Sequence, residues 1–132
     1  MKRKILIIDD DQELCEEMSE ILIDEGYRVN TALDGLKGKS LIEKHNYDIV
    51  ILDLKIPGLN GLDILKSVKE KKTKLKVLVL TARPLSGGLL NQTTHREEEE
   101  DILKLADAVI NKPYNVENLL GKIKELSAES HK

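Results

Sequence analysis

One stretch of the sequence, residues 49–61, constrains the fold more than any other part of the chain. The apolar residues 49–52 run directly into a single carboxylate, Asp53, and a proline and a glycine follow within a few positions. A short apolar run that is closed by such residues is typical of a strand buried on both faces of a parallel sheet. Asp53 is therefore predicted to stand at the carboxyl end of a central strand, where open parallel α/β sheets bind their ligands.

Three further apolar runs end in groups that can bind a metal or a phosphate. They are residues 5–8 before Asp9 and Asp10, residues 77–80 before Thr81, and residues 108–110, which end one residue short of Lys112. Because the carboxyl ends of parallel strands share one edge of a sheet, these four termini are predicted to meet there.

Strand and helix patterns alternate along the chain. The predicted strands cover residues 4–10, 27–32, 49–53, 75–81 and 107–111, and the predicted helices cover residues 12–25, 35–45, 61–71, 96–105 and 116–128. Five such alternations favour an α/β fold, a doubly wound parallel sheet with helices on both faces. The segment 82–94 contains proline, glycine and serine and is predicted to be a long loop.

Helical periodicity also predicts which side chains face the core. The predicted inward positions are Leu14, Met18, Ile21 and Leu22 in the first helix, Leu62, Leu65 and Val68 in the third, and Val116, Leu119, Leu120, Ile123 and Leu126 in the last. The second helix is the weakest prediction because it contains Gly35 and Gly38.

Composition excludes several classes of function. The chain has 21 basic and 24 acidic residues, a net charge of −3, and neither Trp nor Phe. It therefore lacks the basic footprint and the aromatic platform of a nucleic-acid-binding protein. The apolar run after the basic N-terminus is too short for a signal peptide or a membrane span. We expect a cytoplasmic protein without membrane insertion, with Cys15 packed as a small thiol.

The predicted edge has a definite chemistry. Asp9, Asp10 and Asp53 would bring three carboxylates together, and Lys112 would supply one positive charge. The remaining negative charge suits a divalent cation, and oxygen ligands without His or Cys favour Mg²⁺. Asp53 could then act as a nucleophile toward a phosphoryl group, while Thr81 and Lys112 stabilise the transferred oxygens.

This ordered set of residues resembles a response-regulator receiver domain of two-component phosphorelays, over residues 3–128. The matching positions are Asp9, Asp10, Asp53, Pro57, Gly61, Thr81, Lys112 and Pro113. The resemblance implies a flavodoxin-like fold with strand order 2-1-3-4-5. It also implies that Asp53 receives phosphate from a phosphohistidine on a sensor histidine kinase or a phosphotransfer protein.

The resemblance implies roles for individual residues as well. Asp10, Asp53 and the Lys55 backbone carbonyl would ligate Mg²⁺, with Asp9 acting through water. Lys112 would pair with Asp53 or with its phosphate. In this family the bond that corresponds to Lys112–Pro113 is often cis, as a tight strand-to-helix turn could require.

The sequence departs from the family pattern at two places. Val109 occupies the switch position, which is usually aromatic, and the segment between Thr81 and Lys112 is longer than usual. We therefore expect residues 82–94 to transmit the signal in place of an aromatic rotor. Lys55 and Arg83 flank the path of the attacking water in relatives, so we expect them to slow dephosphorylation.

We expect residues 1–132 to form a single receiver domain without an output domain. It would act on its own phosphorylation and dephosphorylation rather than as a conventional enzyme. In relatives the fourth helix, fifth strand and fifth helix form the face that binds output partners.

Two alternatives remain open from the sequence. A phosphatase of the haloacid dehalogenase type would use Asp9 as nucleophile and Asp11 as acid/base, but it needs another acidic metal ligand after Lys112. A pseudo-receiver would bind partners without ever accepting phosphate.

Overall fold

Five strands form one parallel sheet, in which the second strand of the chain lies at one edge and is followed by the first, third, fourth and fifth. The computed structural model describes residues 3–56, 60–72, 74–82 and 100–129. The strands are β1 (Lys4–Ile8), β2 (Arg28–Ala32), β3 (Ile49–Asp53), β4 (Lys76–Thr81) and β5 (Ala108–Asn111). The predicted fold class and strand order are confirmed, and β3 lies at the centre of the sheet.

Helices connect the strands and lie on both faces of the sheet. They are α1 (Gln12–Asp24), α2 (Gly35–Lys44), α3 (Gly61–Lys71), a helical segment α4 in the described residues 100–103, and α5 (Val116–Glu129). Side chains of Asp11, Asp34 and Asn60 cap the first three helices by accepting backbone N–H groups. Gly26 follows α1 with a φ of +98°, which glycine adopts without strain. Part of the predicted fourth helix, and most of the predicted 82–94 loop, lie outside the described residues.

The sheet separates two hydrophobic cores, because successive strand residues point to opposite faces. In β1, Leu6 and Ile8 belong to the core under α2, α3 and α4, whereas Ile5 and Ile7 belong to the core under α1 and α5. Burial on both faces explains why β1, β3 and β4 are continuous apolar runs. This arrangement holds the strand ends, and the polar groups that follow them, in fixed positions.

The predicted helix faces need three corrections. In α1 the fully buried positions are Cys15, Met18 and Leu22, so Leu14 and Ile21 lie only at the margin of the core. Ile64 is buried in α3, whereas Leu62 is half-buried. Val116 is 41% exposed because it begins α5 before the helix packs on the sheet.

Candidate functional site

Four strands deliver polar side chains to one edge of the sheet. Asp9 follows β1, Asp53 ends β3, Thr81 ends β4, and Lys112 follows β5. The backbone N–H of Lys112 donates to the Thr81 carbonyl at 2.8 Å, which extends the pairing of β4 with β5 by one step. The structure therefore brings the four predicted strand termini together.

Three carboxylates form a compact acidic cluster at this edge. One oxygen from each of Asp9, Asp10 and Asp53 lies within 4.8 Å of the others. Asp9 is 0% exposed and Asp53 is 4% exposed, whereas Asp10 is exposed. The Asp11 N–H donates to Asp9 Oδ1 at 2.9 Å and the Lys55 N–H donates to Asp53 Oδ1 at 3.1 Å. These backbone donors fix the orientation of the two buried carboxylates.

The remaining oxygens of the buried carboxylates face one ammonium group. Lys112 Nζ lies 2.8 Å from Asp9 Oδ2 and 3.3 Å from Asp53 Oδ2. The resemblance implied a contact of Lys112 with Asp53 or its phosphate, but it did not imply the shorter contact with Asp9. The adjacency of β1 and β3 at the centre of the sheet accounts for it, because Lys112 reaches both strand ends at once.

Burial and charge shift the pKa values of this group. Burial raises the pKa of Asp53, and the charge of Asp9 adds to the rise, while the Lys55 N–H and Lys112 oppose it. Burial alone would lower the pKa of Lys112, but the carboxylates of Asp9 and Asp53 outweigh burial and raise it. Lys112 therefore stays protonated beside an Asp53 whose charged form is disfavoured.

A close backbone approach joins the first residue of α3 to the end of β3. A Cβ atom on Gly61 would lie 2.7 Å from Leu54 Cα and 3.0 Å from the Asp53 carbonyl oxygen. Only glycine allows α3 to begin this close to the end of β3. Gly61 is one of the positions that match the family pattern, and this close approach is the physical reason for a glycine there.

The donor set of this edge fits a hard divalent cation. It consists of three carboxylates, of which two are buried, and one lysine offsets only part of their charge. Mg²⁺ prefers oxygen ligands and is commonly held by one or two carboxylates. Thr81, which ends β4 at this edge, is 6% exposed and carries a hydroxyl that can donate a hydrogen bond.

The structure describes only some of the residues that were predicted to modulate the site. Lys55 is exposed, and Val109 in β5 is 40% exposed. The Lys112–Pro113 bond is cis, as the resemblance implied. Arg83 and Pro57 lie outside the described residues, so their predicted roles stay predictions.

Two contacts at the margin of the site were not predicted. The Cys15 thiol donates to the Asp9 carbonyl at 3.4 Å. Burial raises the pKa of this thiol to about 11. The Tyr114 hydroxyl donates to Glu17 Oε1 at 2.5 Å. The first contact joins residues six positions apart across the start of α1, whereas the second joins residues 97 positions apart that only the tertiary fold brings together. For the second contact, the one available signal in the sequence was the tyrosine directly after Lys112–Pro113.

A parallel sheet that gathers these carboxylates and a lysine at the carboxyl ends of its strands defines a receiver-type signalling domain. The chain belongs to the response regulator receiver domain family, since the model of that family matches residues 5–124. Within the described residues, no helix has the length and apolar character that crossing a membrane requires.

Similar proteins are response regulators. Sporulation initiation phosphotransferase F of Bacillus subtilis is 34% identical over 114 residues, which are 83% of this chain and 92% of the relative. The transcriptional regulatory protein DltR of Streptococcus agalactiae is 32% identical over 127 residues, which are 96% of this chain but 53% of the relative. The chain thus spans about half the length of several relatives it matches.

Solved structures share the whole fold. A CheY-like receiver domain protein from Methanospirillum hungatei is 29% identical with a TM-score of 0.82, and the match covers 99% of this chain and 98% of that one. The response regulator TrrA of Thermotoga maritima, solved in complex with Mg²⁺ and beryllium fluoride, is 31% identical with a TM-score of 0.77 over 94% of this chain and 98% of that one.

These findings favour neither alternative reading of the sequence. The phosphatase would need Asp11 as an acid/base, but its side chain caps α1 by accepting the Leu14 N–H at 3.1 Å. The pseudo-receiver would need a degraded site, whereas the acidic cluster and Lys112 are all in place. The family match supports a receiver domain instead.

Proposed function

We propose that Asp53 is the phosphoacceptor of this receiver domain and that its phosphorylation requires Mg²⁺. The observation that carries the proposal is the buried Asp53 carboxylate at the tip of β3, with Asp9 and Asp10 beside it and Lys112 Nζ at 3.3 Å. One relative is named a phosphotransferase and another was solved with a beryllium fluoride group, which supports phosphoryl chemistry at the corresponding edge.

The proposed step is a phosphoryl transfer onto a carboxylate. An oxygen of Asp53 attacks the phosphorus of a donor phosphohistidine, the P–N bond breaks, and the imidazole leaves with the electron pair and takes up a proton. The product is an acyl phosphate on Asp53. Lys112 stays protonated and pairs with the added phosphoryl oxygens, and the Thr81 hydroxyl donates to one of them.

Mg²⁺ would be held by Asp10, Asp53 and the Lys55 carbonyl, with Asp9 acting through water. When bound, the ion supplies positive charge that neutralises the phosphoryl oxygens and the crowded carboxylates. Asp10 is the exposed member of the cluster and therefore the one most accessible to a hydrated ion.

Intact mass measured after incubation with acetyl phosphate tests this assignment. We expect one phosphoryl group per chain in Mg²⁺, none in EDTA, and none in Asp53→Asn, while the exposed α3 variant Asp63→Asn behaves like the wild type. Incorporation that survives Asp53→Asn would exclude Asp53 as the acceptor. Asp10→Ala should weaken Mg²⁺ binding more than Asp9→Ala does.

The proposed donor is a sensor histidine kinase or phosphotransfer protein in the cytoplasm. The proposed output face comprises α4, β5 and α5; Leu105, just after α4, and Val109 in β5 are exposed apolar residues. A phosphotransfer profile against purified kinases identifies the donor, and a Val109→Glu variant tests the face. It should keep phosphotransfer but lose the output partner.

The phosphorylated state is proposed to be long-lived because Lys55 and Arg83 are cations on the expected water path. The double variant Lys55→Ala/Arg83→Ala should lose its phosphate faster than the wild type. An unchanged rate constant for phosphate loss would remove this part of the proposal.

A further inference from the structure

A hydrogen bond joins two elements that flank the acidic site. The Tyr114 hydroxyl donates to Glu17 Oε1 at 2.5 Å, although 97 positions separate the two residues. Glu17 lies in α1, and Tyr114 lies in the short connection between Lys112 and α5. The phenol ring packs against the core that α1 and α5 share with the sheet. We call these two residues the Tyr114–Glu17 pair.

The connection that carries Tyr114 also sets the position of Lys112. The backbone of Lys112 is attached to β4 through the Thr81 carbonyl at 2.8 Å. Asn115 caps α5, since its Oδ1 accepts the Asn118 N–H at 2.9 Å. Between these two fixed points, Tyr114 provides the side-chain contact that attaches the connection to α1.

On the opposite side, α1 is attached to the acidic cluster. The Asp11 side chain caps α1 at its first turn, and the Asp11 N–H donates to Asp9 Oδ1 at 2.9 Å. The Cys15 thiol donates to the Asp9 carbonyl. The Tyr114–Glu17 pair therefore connects the helix that holds Asp9 with the loop that holds Lys112.

The pair also borders open space beside the reacting groups. Glu17, Tyr114 and Lys112 line one cavity of about 560 Å³ together with Pro113 and Ala82. Burial raises the pKa of the Tyr114 hydroxyl, and the Glu17 carboxylate raises it further, so the hydroxyl remains a donor throughout the physiological pH range. The pair therefore lies beside the cavity that Lys112 lines.

We propose that the Tyr114–Glu17 pair positions Lys112 for contact with the phosphoryl group on Asp53, an inference that rests on the proposed function. In the structure Lys112 Nζ is closer to Asp9, at 2.8 Å, than to Asp53, at 3.3 Å. To contact a phosphoryl group on Asp53, the ammonium group has to shift toward Asp53. A long lysine side chain can keep its contact with Asp9 after a small loop shift. Its alignment with the phosphoryl group has less freedom, because that contact depends on where the loop places the lysine.

We expect changes to the pair to affect the affinity for a phosphoryl group but not the affinity for Mg²⁺. Mg²⁺ affinity depends on the carboxylates, which the pair does not touch, and should stay within about twofold of the wild type. Affinity for beryllofluoride at saturating Mg²⁺, and the rate constant of phosphorylation by acetyl phosphate, depend on Lys112. Both should fall about three- to tenfold in Tyr114→Phe, which removes one hydrogen bond.

The chain offers matched controls. Tyr27→Phe removes the hydroxyl of another tyrosine that packs against the same core, just before β2 and away from the strand ends that carry the site. Glu20→Ala removes an exposed charge from the same helix as Glu17. Both should leave the two measurements unchanged. Glu17→Ala should reproduce the loss, while Glu17→Gln, which retains an acceptor oxygen, should recover most of the wild-type values.

The same proteins give a readout that needs no metal. Amide hydrogen exchange in EDTA should be faster across residues 112–116 in Tyr114→Phe and Glu17→Ala, and unchanged in β1 and β3. The double variant Tyr114→Phe/Glu17→Ala should lose no more than either single variant, because both changes remove the same contact.

The outcomes separate this inference from the proposed function. A wild-type protein that takes no phosphate on Asp53 overturns both. If the wild type is phosphorylated and Tyr114→Phe matches it in rate and beryllofluoride affinity, the positioning role is wrong and the proposed function stands. A parallel loss of Mg²⁺ affinity, beryllofluoride affinity and urea resistance in Tyr114→Phe indicates general damage and also overturns the positioning role.

Discussion

At the scale of single residues, the site contains charge that the fold itself disfavours. Burial and the neighbouring Asp9 raise the pKa of Asp53, even though Lys112 and a backbone N–H partly compensate. The folded state therefore holds the Asp53 proton more tightly than the unfolded state does. Stability falls as the pH rises from the unfolded pKa, about 3.9, through the folded value, and the full penalty is present above both.

The variant Asp53→Asn should therefore be more stable than the wild type in the absence of divalent metal. We expect a gain in the free energy of unfolding on the order of 1 kcal/mol at neutral pH, measured by urea denaturation in EDTA. The gain should shrink as the pH falls through the raised pKa of the folded state and vanish below about 3.9, where Asp53 is protonated in both states. Asp63→Asn, an exposed change in α3, should show no such gain; an Asp53→Asn variant less stable than the wild type would contradict the argument.

Lys112, in contrast to the ionised Asp53, stabilises the folded state at neutral pH. Its contacts with Asp9 and Asp53 raise its pKa despite burial, so its stabilising contribution is complete below the unfolded lysine pKa and is lost only at strongly alkaline pH. Lys112→Ala leaves Asp9, which is 0% exposed, without its cation. The free energy of unfolding in EDTA should fall by about 1–3 kcal/mol at neutral pH.

Two comparisons make the Lys112 measurement specific. Lys104→Ala removes an exposed ion pair with Asp101 and should change stability by less than about 0.5 kcal/mol. Added Mg²⁺ should restore part of the loss in Lys112→Ala, since a cation again lies beside the carboxylates. Equal losses in the two lysine variants would show that the buried pairing contributes little.

At the scale of elements, the α2 glycine that weakened the helix prediction has a packing role. A Cβ on Gly38 would lie 2.5 Å from Ile8 Cδ1 and 2.9 Å from Ile8 Cγ1. Ile8 is fully buried at the end of β1, directly before Asp9. Helix propensity alone would favour alanine by about 1 kcal/mol, but overpacking a fixed core side chain costs about 1–3 kcal/mol.

Gly38→Ala should accordingly destabilise the protein rather than stabilise it. We expect a lower urea midpoint, with a net loss of about 1 kcal/mol, because the steric term exceeds the gain in helix propensity. Gly121→Ala in α5 provides the control, since a Cβ there meets nothing within 4 Å, and it should stabilise the protein. A gain in both variants would mean that Ile8 can move aside freely.

Much of this architecture was predictable from local pattern. Each strand was located to within two residues of its bounds. In β1, β3 and β4 a continuous apolar run that ends in a polar residue is a strong local signal. The first strand was predicted two residues too long, since Asp9 already turns to accept the Asp11 N–H. The Lys112–Asp9 contact and the Tyr114–Glu17 pair were not predictable, because both depend on which elements become neighbours.

At the scale of the whole molecule, opposite charges occupy opposite edges of the sheet. The acidic cluster lies at the carboxyl ends of the strands, while the other edge carries cations that line a separate cavity with Tyr47 and Asp48: Arg3, Lys71, Lys72 and Lys74. Among these, Arg3 pairs with Asp48 and Lys72 caps α2 through the Ile42 carbonyl. The cations of the second edge lie at the opposite ends of the strands from the acidic cluster, and among the described lysines Lys112 is the one that pairs with it.

Mg²⁺ should for that reason change the stability of the entire domain. Binding to the folded state adds stability in proportion to the logarithm of its excess over the dissociation constant, about 2.7 kcal/mol at a hundredfold excess. For a domain of 132 residues this corresponds to a rise in the melting temperature of roughly 5 °C or more.

In EDTA, Asp53→Asn should melt at a higher temperature than the wild type. In saturating Mg²⁺ this difference should vanish or reverse, because the variant lacks both the repulsion between the carboxylates and one of the metal ligands. Calorimetry gives the melting temperatures of both proteins in EDTA, in Mg²⁺, and in NaCl at matched ionic strength. An equal rise in NaCl, or an equal rise in Asp53→Asn, would show that the ion screens surface charge and does not occupy the carboxylate cluster.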